Sequence, residues 1–106
     1  DISDPYKPLE VDRLETGSKI GPHWLSPNQT GEQIVLTGFF EELERRIMML
    51  NFDKSTGDLS IDKTFGEGDI SGPGLMVDIE EWPHGKTGAA LAHGAIFWPP
   101  APPDWN

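Results

Sequence analysis

Residues 20–64 read IGPHWLSPNQTGEQIVLTGFFEELERRIMMLNFDKSTGDLSIDKT. Short apolar runs alternate there with turn formers. Four strands are expected, at Pro22–Leu25, Gln33–Thr37, Arg46–Phe52 and Leu59–Lys63. They are separated by Ser26-Pro27-Asn28 with Thr30-Gly31, by an acidic loop, and by Lys54-Ser55-Thr56-Gly57-Asp58. Strands this short, with Gly, Asn, Asp and Pro between them, favour an antiparallel meander. A four-stranded meander is the unit of one β-propeller blade. The expected fold class is therefore all-β: a four-stranded antiparallel blade plus a C-terminal strand, as a fragment of a propeller.

Within that stretch, Gln33–Thr37 (QIVLT) is nearly continuous in apolar, β-branched residues. Such a run suits a strand buried on both faces. Phe39–Leu50 (FFEELERRIMML) is ambiguous. Its helix formers and its Glu41/Arg45 and Glu42/Arg46 pairs at i,i+4 favour a helix. Against this, Ile47, Met49 and Asn51 alternate with Met48, Leu50 and Phe52, and a turn follows. The run is split here into a loop or single helical turn to Glu44, then a strand. Asp53–Asp58 reads as a hairpin turn, with Asp53 accepting bonds from the backbone ahead of it and Gly57 free to take positive φ. It lacks the Asp-x-Asp-x-Asp-Gly pattern of a calcium loop.

Outward from the centre, Leu9–Leu14 alternates, with Leu9, Val11 and Leu14 set against Glu10 and Asp12, and reads as a half-buried strand. Residues 1–19 are expected to be the outer strand of a preceding blade and its connector. Residues 20–64 form the complete blade. Residues 65–106 hold a Gly-rich loop, closing strands (Leu75–Ile79 first among them) and a proline-rich tail, WPPAPPDWN. Glu80–Gly88 reads as a polar connection. The opening Asp-Ile-Ser-Asp-Pro reads as the middle of a chain, so the expectation is a fragment that continues upstream.

The 106 residues suffice for one small domain. Ten prolines and twelve glycines limit regular structure to the middle. The formal charge of −10 argues against nucleic-acid and anionic-membrane partners, which need clustered Lys and Arg. No apolar run approaches the ~20 residues of a membrane span. With no cysteine, disulfides, thiolate nucleophiles and Cys-ligated zinc are excluded. An isolated blade leaves faces and an edge unpaired, so marginal stability and self-association are expected of the chain alone.

Several stretches resemble the C-terminal end of the selenium-binding protein family, which includes methanethiol oxidases. Ile47-Met48-Met49-Leu50-Asn51-Phe52-Asp53 with Gly57-Asp58-Leu59 resembles its V-M-L-x-x-D…G-L segment. Leu75-Met76-Val77-Asp78 is similar to its F-L-V-D strand. Gly88-Ala89-Ala90-Leu91-Ala92-His93 is similar to its near-terminal G-P-A-L-A-H, the most specific of these matches. Pro22-His23-Trp24 resembles the blade-opening segment of related propellers. The resemblance spans roughly residues 20–106 and implies a seven-bladed parent, with the remaining blades as partners. It further implies copper as cofactor and a small thiol as substrate, methanethiol being oxidised to formaldehyde, hydrogen sulfide and peroxide. Selenium in the family is associated with cysteine, so that property does not carry over.

Imidazole is the commonest protein ligand for copper and zinc, and a site needs about three ligands. The chain has His23, His84 and His93, without H-x-H or H-x-x-x-H spacing. The metal candidates are His93, which falls in the Ala-Leu-Ala-His match, and His23, which opens an inner strand. Upstream blades would complete their site. The competing reading makes both of them hydrogen-bonded structural histidines. His84, between Pro83 and Gly85, belongs to a turn. Asp78 and Glu80 share a strand face, but nothing brings them or Glu81 to a cleft. Gly85-Lys86-Thr87 lacks the glycine at position 80 that a phosphate loop requires. Trp24, Trp82, Trp98 and Trp105 read as packing anchors. Asn28-Gln29-Thr30 is a glycosylation sequon on a turn. Two functions remain in view: part of a copper-dependent thiol oxidase, or a non-catalytic propeller scaffold for interactions.

Overall fold

Apolar and β-branched residues concentrate at Gln33–Gly38 and Arg46–Phe52, and these become the two central strands of a five-stranded antiparallel sheet. The computed structural model describes residues 1–17, 21–38, 45–66, 72–77, 79, 81–86, 88 and 90–98. Its strands are β1 (Pro22–Pro27), β2 (Gln33–Gly38), β3 (Arg46–Phe52), β4 (Leu59–Ile61), β5 (Leu75–Met76), β6 (Glu81–Trp82) and β7 (Gly85–Lys86). The sheet runs β1-β2-β3-β4, and β5 also pairs with β3. β4 meets the Leu50–Phe52 end of β3, and β5 meets the Arg46–Ile47 end. The two short strands thus lie end to end along one side of β3. β6 and β7 form a separate two-stranded hairpin.

The all-β, antiparallel expectation holds, with no helix among the described residues. A continuous helix over Phe39–Leu50 is ruled out by β3. The loop expected at Phe39–Glu44 lies outside the described residues. Pairing on both sides of β3 outweighs i,i+4 charge pairs worth only a few tenths of a kcal/mol each. Register puts Leu25, Leu36 and Met48 on one face, and Trp24, Thr37 and Ile47 on the other. Both faces of β2 are buried: Val35, Leu36 and Thr37 are at most 6% exposed.

The core is small. Among the described residues, its buried hydrophobic side chains are Val35, Leu36, Met48, Leu50 and Val77. Ile2, Tyr6, Leu9, Val11, Leu25, Ile96 and Trp98 are each more than half exposed. Arg46 is also fully buried. Its Nη1 donates to the carbonyls of Gly72 and Pro73 at 3.3 Å and of Gly74 at 3.5 Å. The guanidinium so fastens the loop before β5 over one face of the sheet.

The turns follow their sequence signals. Asn28 Oδ1 accepts from Thr30 Oγ1 and the Glu32 amide, both at 3.1 Å. Asp53 Oδ1 accepts from the Ser55 amide at 2.8 Å and its hydroxyl at 2.6 Å. Gly57 closes that turn at φ 86°.

Other expectations need correction. Leu9–Leu14 has no ladder partner among the described residues, and its alternation fails at Leu9, Val11 and Asp12 while Leu14 is half-buried as expected. Leu9 and Val11 are exposed, while Asp12, Leu14 and Thr16 are half-buried. The cause is polar: Asp12 Oδ2 accepts from the Leu59 amide at 2.7 Å, which turns that side of the segment to the sheet edge. β1 runs on to Pro27. β4 stops at Ile61, because Asp62 Oδ1 accepts from the Thr64 amide and hydroxyl and starts a turn. The strand expected over Leu75–Ile79 shrinks to Leu75–Met76, and Asp78 lies outside the described residues. The polar connection contains the β6–β7 hairpin, where Trp82 Nε1 donates to Gly88 O at 3.0 Å. No strand forms over residues 90–98. Trp24 and Trp98 are 47% and 83% exposed, so neither is a buried anchor within this chain. Trp105 lies outside the described residues.

Three carboxyls are held below their ordinary values. Asp12 is lowered chiefly by the Leu59 amide, then by that of Arg13. Asp53 is lowered by the Ser55 hydroxyl and amide, and Asp62 by those of Thr64. A folded-state value below the unfolded one gives stability that is fully present above the ordinary carboxylate pKa, near about 4, and is lost as pH falls below it. Urea midpoints between pH 7 and pH 3 are expected to fall in that acid range. The triple replacement Asp12→Asn, Asp53→Asn and Asp62→Asn should flatten the decline. An unchanged slope in the triple variant would remove these carboxylates from the account.

Candidate metal centre

β1 does not pair evenly with β2. Pro22 lies opposite Gly38 and Trp24 opposite Thr37, so His23 is an extra residue, the bulge of this ladder. Bulges re-aim side chains and recur beside functional sites. Pro22 precedes the bulge, and Pro22 and Pro27 at the two ends of β1 contribute no N–H to the sheet edge.

The segment 90–98 crosses the face of the sheet that carries Trp24 and Thr37. It is tied at one end by the Ala90 amide, which donates to Val77 O at 3.0 Å. Further along, Thr37 Oγ1 donates to His93 O at 3.1 Å. The next residue, Gly94, packs directly on the Trp24 indole. A Cβ placed on Gly94 would lie 3.3 Å from two ring atoms.

These contacts bring His93 onto His23. The ring centroids are 4.8 Å apart, with the planes tilted by 32°. The two histidines singled out from sequence, separated by most of the chain, thus form one imidazole pair. Both residues are exposed, so the pair faces outward from this chain. Beside it opens a groove of about 330 Å³ lined by Trp24, His93, Gly94, Ala95 and Ile96. His84 does not join the pair. It sits in the β6–β7 turn, 6.4 Å from the Trp82 ring by centroids.

The centroid spacing matches both a tilted ring contact and two imidazoles on one ion. Metal–imidazole bonds of about 2.0–2.1 Å put two ring centres on one ion at roughly 5 Å. No group of three or more metal-ligating side chains occurs among the described residues. The pair counts two imidazoles, one short of the roughly three ligands that a copper or zinc site needs. Of the carboxylates weighed from sequence, Glu81 is exposed on β6, and Asp78 and Glu80 lie outside the described residues.

Sequence reasoning missed both devices that build the pair. The bulge has no signal of its own beyond Pro22. Thr37 did leave one: a hydroxyl inside an apolar run must find a partner if it is buried. No family model matches the chain, and neither the curated proteins nor the solved structures give a match.

Proposed function

We propose that this chain is the closing part of a copper-binding propeller of the selenium-binding-protein type, whose intact ring oxidises a small thiol. The observation that carries the reading is the imidazole pair, His23 with His93 at 4.8 Å. The sheet supports it too. Its small core and exposed apolar side chains suit a blade that packs against neighbours on both flanks.

His23 and His93 supply two ligands, and the third comes from another blade. Copper, when bound, brings one-electron and dioxygen chemistry. The bulge and the crossing segment hold the two rings together, while the groove lined by Trp24 and Ile96 offers an apolar approach beside His93. That approach fits a methyl group better than a charged substrate. The net reaction consumes methanethiol, dioxygen and water, and yields formaldehyde, hydrogen sulfide and hydrogen peroxide.

Metal analysis of the intact parent protein tests the reading. Copper close to one per chain is expected, together with thiol oxidase activity. His93→Ala and His23→Ala should each weaken copper binding by at least about tenfold, and His84→Ala should not. A metal-free parent without thiol oxidase activity overturns the proposal and leaves a non-catalytic scaffold.

A further inference from the structure

We infer that Thr37 is the positioning residue of the imidazole pair, acting through the backbone of His93. Its functional meaning rests on the metal-centre reading; its geometry does not. Thr37 lies in β2, fully buried, directly opposite Trp24 at the edge of the bulge. Its hydroxyl donates to His93 O at 3.1 Å, across 56 residues of sequence. His23 and His93 therefore refer to the same short piece of β2. The bulge opposite Thr37 and Gly38 sets one ring, and the Thr37 hydroxyl sets the backbone from which the other hangs.

The residue type fits the task. A buried hydroxyl is costly unless bonded, so Thr37 is held to its partner by its own burial. Valine fills nearly the same space and keeps the β-branch that suits a strand. It removes only the donor. Serine keeps the donor and loses a methyl group. The segment that carries His93 lacks a ladder, so a side-chain bond from the sheet has more influence on it than it would on a paired strand.

The test uses the full chain with labelled histidines. In the wild type, ring-proton cross-peaks between His23 and His93 are expected in nuclear Overhauser spectra. In Thr37→Val they should disappear, while the amide signals of Val35 and Leu36 in the β2–β3 ladder hold. Copper affinity of the intact parent protein carrying the same substitution, read by calorimetry, should drop about tenfold, the scale seen when a group that orients a ligand is lost. Thr37→Ser should restore both. If the valine disturbs the ladder, Thr37→Ala is read in the same way. Undiminished cross-peaks without the hydroxyl, or a serine variant that behaves like valine, would overturn the inference. Cross-peaks that follow the hydroxyl, together with an intact parent protein that binds no copper, would leave Thr37 its role and sink the metal-centre reading instead.

Discussion

Gly74→Ala is expected to remove most of the chain's folding stability at room temperature. Gly74 is buried at φ 85°, a conformation that costs a residue with a Cβ roughly 1–2 kcal/mol. The added atom has nowhere to go. It would lie 2.5 Å from the Ile47 carbonyl oxygen and 3.0 Å from Met48 Cγ. The first is backbone of the central strand and the second belongs to a fully buried side chain. Overpacking of this kind costs typically about 1–3 kcal/mol more. Whole domains are stable by only about 5–15 kcal/mol, and a core this small sits low in that range. The loop would also lose register at the Gly74 amide, which donates to Phe65 O at 3.2 Å. Gly85→Ala is the matched control: φ is 119° there, but nothing lies within 4 Å of the added carbon. It should cost only the backbone term. Thermal melts by circular dichroism decide the matter. A Gly74→Ala variant that melts cooperatively within a few degrees of Gly85→Ala would show that the loop can move away from β3.

The second large effect is at Arg46. Arg46→Leu preserves apolar burial but removes the donor to three successive carbonyls, those of Gly72, Pro73 and Gly74. Buried ion pairs are often replaceable by hydrophobic residues, because both partners can be removed together. Here the acceptors are backbone and stay. A buried polar group left unsatisfied costs about 1–3 kcal/mol, so a loss near 3 kcal/mol is expected from urea denaturation. Arg46→Lys should fall between the two. Its ammonium keeps the charge on a flexible stem but lacks the rigid fork of a guanidinium. If the leucine variant matched the wild type, water or a relaxed loop would be serving those carbonyls, and the fastening role of Arg46 would be gone.

The meander was legible because local chemistry and tertiary pairing agree across residues 22–61. Alternation in Ile47–Phe52, the apolar run at Gln33–Thr37, and the side-chain caps at Asn28 and Asp53 all point the same way. Legibility failed where a side chain answers to a distant partner. Arg46 looks like half of a surface i,i+4 pair, and nothing nearby in sequence announces a loop of carbonyls more than twenty residues away. Leu9 and Val11 look like the inward face of a strand until Asp12 finds the Leu59 amide. The pairing of His23 with His93 follows the same logic. Each residue could be named as a candidate, but the bulge and the Thr37 hydroxyl that join them are tertiary facts.

The unladdered path of residues 90–98 sets how the imidazole pair comes apart. β3 is paired along both of its sides, so its amides are released to solvent only when the whole sheet melts. The stretch bearing His93 is fixed by isolated contacts and can lift away as a sub-global opening, at a free energy below that of complete unfolding. Assembly and loss of the pair are then expected to be a local equilibrium on a standing sheet, with hydrogen exchange slow in the ladder and fast over residues 90–98.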